Sequence, residues 1–224
     1  MTYHVHLFKI LFSMEDDLFR IQKAERIQNL WKVNTILILS AIGLYAWMAF
    51  LGLGSESISS IAVSLTQPAY ETSKLWFMIG RALYGLVFAM FILFVPSLLL
   101  YLLTGIPYKK LIIMQQVVLV VILLERVLWV PIVIFSGLNW QVSPLSFGII
   151  ASYITEIPWM IYFFGAITLF QLWIIWFQVK YITSLSEMKK PLIWINVVLL
   201  HFLGWCLTAL TAFTDSYILS GWFG

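Results

Sequence analysis

The chain has 224 residues, of which 62% are hydrophobic and 10% are charged, and its formal net charge is +3. A soluble domain is about 45–50% apolar and ~25% charged, so this composition excludes a soluble globular protein and indicates a membrane protein. The small net charge does not support nucleic-acid binding, and the single Cys206 excludes a disulfide within the chain.

The segment before the first long apolar run is predicted to be amphipathic. Its apolar residues recur at helical spacing, at Leu7, Leu11, Met14, Leu18 and Ile21. We expect residues 6–33 to form one interfacial helix on the cytoplasmic face of the membrane. The acidic residues Glu15, Asp16 and Asp17 interrupt the apolar run, which excludes a cleavable signal peptide. Anionic lipid would repel them, so a protein partner is the alternative surface for this segment.

Five runs are long and apolar enough to cross a ~30 Å hydrocarbon core as helices. They cover residues 35–53, 75–103, 111–135, 158–182 and 191–213. The alternating hydropathy of barrel strands is absent from these runs, so the predicted fold is all-α with five transmembrane helices. The predicted organisation is a cytoplasmic segment over 1–33, a membrane domain over 34–213 and an outer tail over 214–224.

The distribution of Lys and Arg predicts the orientation of the chain. Ten of the 13 lie before the first span or in the second and fourth connections, and the outer connections hold only Lys74. By the positive-inside rule, the N-terminus is cytoplasmic and the C-terminus lies outside. Of the two outer connections, 136–157 contains a stretch, 146–154, that is too short to span and is predicted to be an interfacial or re-entrant helix.

Charged and polar side chains inside the spans are the candidate site residues, because each charge costs roughly 2.5–3.5 kcal/mol to insert. Counting from the outer helix ends places Arg81 ~9 Å deep and Glu125 ~15 Å deep, which predicts an ion pair between them. Arg126 points away from Glu125 and could reach Glu156 or Asp215. We interpret these buried charges as a structural contact that holds the helices together, in preference to a proton relay or a counterion for a substrate. His201, near the midplane of the fifth span, is interpreted as a hydrogen-bonded packing residue.

Several enzyme classes lack their motifs in this chain. There is no HExxH zinc motif, no GxSxG nucleophile elbow and no GxxxxGK[ST] phosphate loop. His4 and His6 are too few ligands for a metal site. The sequence therefore predicts a protein that is not an enzyme and carries no metal or cofactor.

The end of the fourth run and the loop after it carry a recognisable pattern. The segment Leu169-Phe170-Gln171-Leu172-Trp173, then 179–186 and Lys189-Lys190, resembles the Yip-domain (Ypt-interacting-protein) family, especially its bacterial members. The similarity covers roughly residues 75–213, and Ser184 stands where those proteins commonly have glycine. The residues of the family-like turn are Trp173, Thr183, Leu185, Ser186 and Lys189.

This resemblance implies a non-enzymatic accessory or assembly factor of a larger membrane complex. Its partners would be the lipid bilayer and other integral membrane proteins, in particular a bacterial ABC-type exporter that protects against a toxic peptide, and its location the bacterial cell membrane. Two alternatives stay open. One is a small transporter or channel that uses Arg81, Glu125 and His201; the other is a Yip-like membrane-trafficking factor in a eukaryote.

Overall fold

The computed structural model describes residues 2–55, 59, 65–136, 143 and 145–214. In chain order the elements are β1 (Thr2–His4), α1 (Leu7–Phe12), α2 (Met14–Lys23), β2 (Arg26–Gln28), α3 (Leu30–Phe50), α4 (Gln67–Thr104), α5 (Tyr108–Ser136), α6 (Gly148–Ile154), α7 (Pro158–Gly165), α8 (Leu169–Leu185) and α9 (Lys190–Thr214). The protein is mostly helical, which confirms the predicted all-α class.

Within the described residues, four helices are long and apolar enough to cross a membrane, namely α3, α4, α5 and α9. They correspond to the first, second, third and fifth predicted spans. The central helix is α5, because 56% of its most apolar window is buried inside the protein, against 17–33% for the other three. Gln116 joins α5 to α3 by donating from its buried Nε2 to Leu30 O at 3.0 Å and to Asn34 Oδ1 at 2.7 Å.

The fourth predicted span, 158–182, is not one helix, and this part of the prediction is wrong. The chain forms α7 and α8, which are separated by a non-helical break at Ala166–Thr168. Gly165 ends α7, and the Thr168 hydroxyl caps α8 by accepting a hydrogen bond from Gln171 N at 3.2 Å. A Thr followed three residues later by Gln is typical of the first turn of a helix, so the local sequence favours a new helix start at this point. The apolar composition of the run concealed it.

The segment before the break folds as a short helical hairpin, which we call the α6–α7 hairpin (residues 145–169). Its two ends pair with each other, since Phe147 N donates to Ile167 O at 3.0 Å and Leu169 N donates to Leu145 O at 3.4 Å. Residues 148–154 are helical as predicted, and the seven residues of α6 extend only about 11 Å. The hairpin therefore begins and ends at one place in the fold.

The N-terminal segment is not the single helix predicted over 6–33. Residues 2–28 form an N-terminal cap in which β1 and β2 pair in parallel, with α1 and α2 between them. Ser13 separates the two helices with a non-helical φ of −132°, and Asn29 adopts a left-handed φ of 64° before α3. The predicted apolar stripe is nevertheless used, because Leu18 and Ile21 are buried against the bundle. The stripe faces protein.

The cap docks on the end of the bundle where α5 begins and α8 finishes. Lys180 Nζ lies 2.9 Å from Glu15 Oε1, and Lys110 Nζ donates to Gln22 O at 2.9 Å. The neighbouring Lys180 lowers the pKa of the exposed Glu15 carboxyl below its usual value. At the same end of the bundle, Tyr181 joins α8 to α5 by donating its hydroxyl to Lys110 O at 2.6 Å. These lysines share one end of the bundle, as their distribution in the sequence predicts.

Candidate functional site: a polar cavity between the helices

One face of α5 carries polar side chains into the interior of the bundle. Apart from the adjacent pair Glu125 and Arg126, the residues of this face recur every three or four positions, so they lie in one row, which extends about 21 Å along the helix axis. Its charged and amide side chains are Gln115, Glu125 and Arg126, and the other members are Val118, Ile122 and Trp129. This row lines a cavity of about 390 Å³, which we call the polar cavity. Its size falls in the usual range for small-molecule sites, ~300–1,000 Å³.

The other walls of the polar cavity divide by chemistry. Polar side chains come from the end of the α6–α7 hairpin and from α8 and α9: Ser143, Thr168, Gln171, Gln178 and His201. Apolar side chains come from α4 and from the rest of α9: Phe88, Phe91, Ile92, Val95, Leu99, Leu200, Leu203 and Leu207. The cavity therefore has a part lined by hydrogen-bonding side chains and a part lined by apolar side chains.

Glu125 joins both ends of the α6–α7 hairpin to the central helix. Glu125 is only 6% exposed, and Ser143 Oγ donates a hydrogen bond to its Oε1 at 3.2 Å. The side chain of Thr168 also interacts with this carboxylate. Because Ser143 lies just before the hairpin and Thr168 lies at its end, one carboxylate contacts both the entrance and the exit of this segment. The same Thr168 caps α8, so the break and the buried charge form one unit.

Arg126 lies beside this unit and stacks on an indole. Its guanidinium carbon is 3.9 Å from the centre of the Trp129 ring. Arg126 also interacts electrostatically with Glu125 and with the buried Tyr45 hydroxyl on α3. Its Nη1 is buried and has no hydrogen-bond partner in the described part of the chain. The Tyr45 hydroxyl beside it is likewise buried without a hydrogen-bond partner there.

His201 connects α9 to α8 through two glutamines. Its Nδ1 is 3.0 Å from Gln171 Oε1 and its Nε2 is 2.9 Å from Gln178 Oε1. A neutral imidazole donates from one ring nitrogen only, so one glutamine must turn its amide N–H towards the ring. Both ring nitrogens are thereby occupied. The prediction of a hydrogen-bonded histidine agrees with this geometry, and its place on the cavity wall was not foreseen.

The contacts described for Glu125 do not include Arg81, and the ion pair inferred from their depths stays a prediction. Arg81 Nη2 donates to Gly54 O at 3.4 Å, just beyond the end of α3, and its guanidinium lies 5.1 Å from the Phe77 ring centre. The depth count began at residue 75, whereas α4 begins at Gln67 and Arg81 lies level with the end of α3. Of the four predicted cluster residues, Glu125, Arg126 and His201 line the polar cavity and Arg81 does not.

The remaining predicted residues lie away from the cavity or outside the described chain. Glu156 is exposed in the connection between α6 and α7, and Asp215 lies outside the described residues. In the family-like turn, Trp173 stacks on Phe177 with ring centres 5.3 Å apart, and Thr183 donates to Val179 O. Ser186 ends α8 and accepts a hydrogen bond from Met188 N, while Leu185 and Lys189 flank that turn. These contacts shape a helix end.

Several cavity residues were missed by reasoning from the sequence. Gln171 and Gln178 are seven residues apart inside an apolar run, which places them on one helix face. That spacing was a usable signal, as was the Thr168–Gln171 capping pair. Ser143 carried no comparable signal, because only the return of the hairpin brings it to Glu125.

Comparisons of the chain with protein-family models, with curated proteins and with solved structures find no match. Among the described residues, no three His, Cys, Asp or Glu side chains form a group that could hold a metal ion. What the arrangement offers is a set of hydrogen-bonding groups beside an apolar wall, which is suited to binding.

Proposed function

We propose that this protein is a small, non-enzymatic membrane transporter that binds an amphipathic molecule in the polar cavity. The observation that carries the proposal is the helix break at 166–168, which lies at a buried carboxylate on the wall of that cavity. Irregular backbone at membrane depth is tolerated where it lines a cavity, and broken helices form the substrate sites of many transporters.

In this proposal α7 and α8 together make the fourth of five crossings of the membrane. The N-terminus is then cytoplasmic and the C-terminus lies outside, as the lysine distribution predicts. The α6–α7 hairpin lies on the outer side of Glu125, and its two ends meet at the depth of that residue. The hairpin also packs on α9, where the Phe163 ring centre lies 5.7 Å from that of Phe202 and 6.3 Å from that of Trp205. Its connection to α5 consists of two hydroxyls and one carboxylate, so the hairpin can shift relative to α5 when those hydrogen bonds break.

The apolar walls support an amphipathic rather than a fully polar substrate. They belong to α4 and α9, which make only minor contact with each other. A gap between two lipid-facing helices gives a molecule lateral entry from the bilayer. Its apolar part would stay against Phe91, Val95 and Leu203 while its polar part reached α5 and α8.

Reconstituted vesicles test the proposal. We expect the purified protein to accelerate transbilayer movement of at least one member of a panel of fluorescent single-chain amphipaths with neutral, cationic and anionic headgroups. The Glu125→Gln variant should lose most of that acceleration, because it removes the charge that binds Ser143 and Thr168. The matched control is Glu156→Gln, an exposed acid away from the cavity, which should keep it. The proposal fails if the wild-type protein moves no probe faster than protein-free vesicles do.

A second candidate is the accessory or assembly factor implied by the Yip-domain resemblance, acting for example on a bacterial ABC-type exporter. Large apolar side chains on the end that carries the cap favour it, since Phe19 is 56% exposed and Trp31 is 63% exposed. Aromatic side chains exposed near a membrane surface are suited to contact with another membrane protein.

Gentle extraction of the tagged protein separates the two candidates. For an accessory factor, we expect another integral membrane protein to co-purify in constant ratio and to be lost from a Phe19→Ser/Trp31→Ser double variant. Glu125→Gln should leave that assembly unchanged. A homogeneous species containing this chain alone would count against the accessory function and leave the transporter as the single proposal.

A further inference from the structure

Several buried side-chain atoms that have no hydrogen-bond partner in the described residues belong to residues that line the polar cavity. These four atoms are Gln115 Nε2, Arg126 Nη1, Trp129 Nε1 and Trp205 Nε1. All four are hydrogen-bond donors. Buried donors are normally paired, so a cluster of unpaired ones on a single cavity marks a place where a ligand supplies the acceptors.

Two acceptors on the same wall already have donors within the protein. The Glu125 carboxylate accepts from Ser143, and one of the two glutamines of α8 accepts from His201, while the other glutamine donates to the second ring nitrogen. The cavity is therefore complementary to a molecule that has many hydrogen-bond acceptors and few donors. Carboxylate and phosphate groups have this property, and the guanidinium group of arginine binds them strongly because it can donate two parallel hydrogen bonds.

We infer that the polar cavity binds an anionic amphipath, a molecule with an acidic headgroup at Arg126 and Trp129 and a hydrocarbon chain against α4 and α9. The inference rests on the proposed function, since it names the substrate class of the same site. Arg126 is preorganised for the headgroup, because its guanidinium carbon lies 3.9 Å from the centre of the Trp129 ring, and its Nη1 has no hydrogen-bond partner in the described residues.

The apolar part follows from the shape of the remaining wall. Phe88, Ile92 and Val95 recur on one face of α4, and Leu200, Leu203 and Leu207 recur on one face of α9. Such rows take a flexible chain and discriminate little between chain types. The headgroup contact thus provides the selectivity, and the chain contact provides most of the affinity.

A binding measurement on the full-length protein in neutral-lipid nanodiscs tests this inference. The probes share one fluorescent acyl chain and differ in headgroup: a free carboxylate, a phosphate monoester, a primary alcohol and a quaternary ammonium. We expect the carboxylate, the phosphate or both to bind, and the alcohol to bind about 10- to 100-fold more weakly, the effect of one charged hydrogen bond. The two acidic probes distinguish a fatty-acid type of ligand from a phospholipid type.

Variants assign the effect to the guanidinium. Arg126→Gln should remove the preference for the acidic probes, while Arg126→Lys should keep part of it. The matched control is Arg81→Gln, which removes an arginine outside the cavity and should keep the full preference. Size-exclusion profiles and thermal unfolding of each variant establish that it is folded. Should Arg126→Gln fail to fold, competition of the alcohol against the acidic probes on the wild-type protein decides the question alone.

The outcomes separate this inference from the function it rests on. Equal binding of the alcohol and the acidic probes, or preference for the ammonium probe, overturns the anionic class and leaves a transporter of another amphipath standing. Selective binding of acidic probes without any transbilayer movement supports the ligand class and overturns the transport proposal. Absence of binding by all four probes overturns the inference.

Discussion

Replacing Gly85 by alanine is expected to lower the free energy of unfolding by about 1–3 kcal/mol, the usual effect of overpacking a tight interface. A Cβ at this residue would lie 2.9 Å from Ala41 O and 3.1 Å from the Tyr45 ring. The obstacle is partly backbone, so α3 and α4 would have to separate. Their contact is the most extensive between any two helices of the described chain, and Tyr45 borders the guanidinium of Arg126. The same variant should therefore weaken ligand binding.

Gly80→Ala provides the matched control for this prediction. It lies in the same helix, and a Cβ there would meet no atom within 4 Å. Alanine is the better helix former, so this variant should be neutral or more stable by up to ~1 kcal/mol. Denaturant titration of both variants in one detergent gives the comparison. Equal stability of the two would show that the close approach of α3 and α4 at Gly85 is not present in the membrane.

The second large effect is expected at the helix break. Thr168→Val keeps the shape of the side chain and removes its oxygen, which caps α8 and interacts with Glu125. Loss of the cap and of one partner of a buried carboxylate should together cost about 2–4 kcal/mol. Because the break forms part of the cavity wall, we expect transbilayer movement of the probes to fall as well, even where the variant is kept folded at low temperature.

Thr155→Val serves as the control for the break. Its hydroxyl accepts a hydrogen bond from Ile157 N at 3.2 Å in the connection between α6 and α7, which is a local contact away from Glu125. This variant should lose no more than a few tenths of a kcal/mol and keep full movement of the probes. Thermal unfolding and the vesicle assay give both quantities. An equal loss in the two variants would assign the effect of Thr168→Val to general loosening of the hairpin.

Much of the fold follows from local properties of the chain. Long apolar runs must be helical in lipid, and α3, α4, α5 and α9 lie where such runs occur. The apolar stripe of the N-terminal segment contains Leu18 and Ile21, which are buried against the bundle and not at a membrane surface. The prediction of one continuous helix failed there because Ser13 and the pairing of β1 with β2 interrupt it, and strand pairing between Thr2–His4 and Arg26–Gln28 is a non-local contact.

The site was predictable to a smaller extent. Cost of insertion alone marked Glu125, Arg126 and His201 as unusual, and all three line the polar cavity. Depth counted along separate helices could not predict their partners, since a shift of two turns in the start of α4 moves Arg81 to another level. The hydroxyl partners of Glu125 come from residues 143 and 168, which are 18 and 43 residues away in sequence.

The sequence by itself determined that this protein is helical and apolar, which basic residues gather at one end, and which charged side chains are costly to bury. These properties depend on composition and on neighbours within a few residues. The tertiary structure decided that the N-terminal stripe faces protein and that Glu125, Thr168 and His201 surround one cavity. Those outcomes depend on hydrogen bonds between distant segments, whose energies no local pattern records.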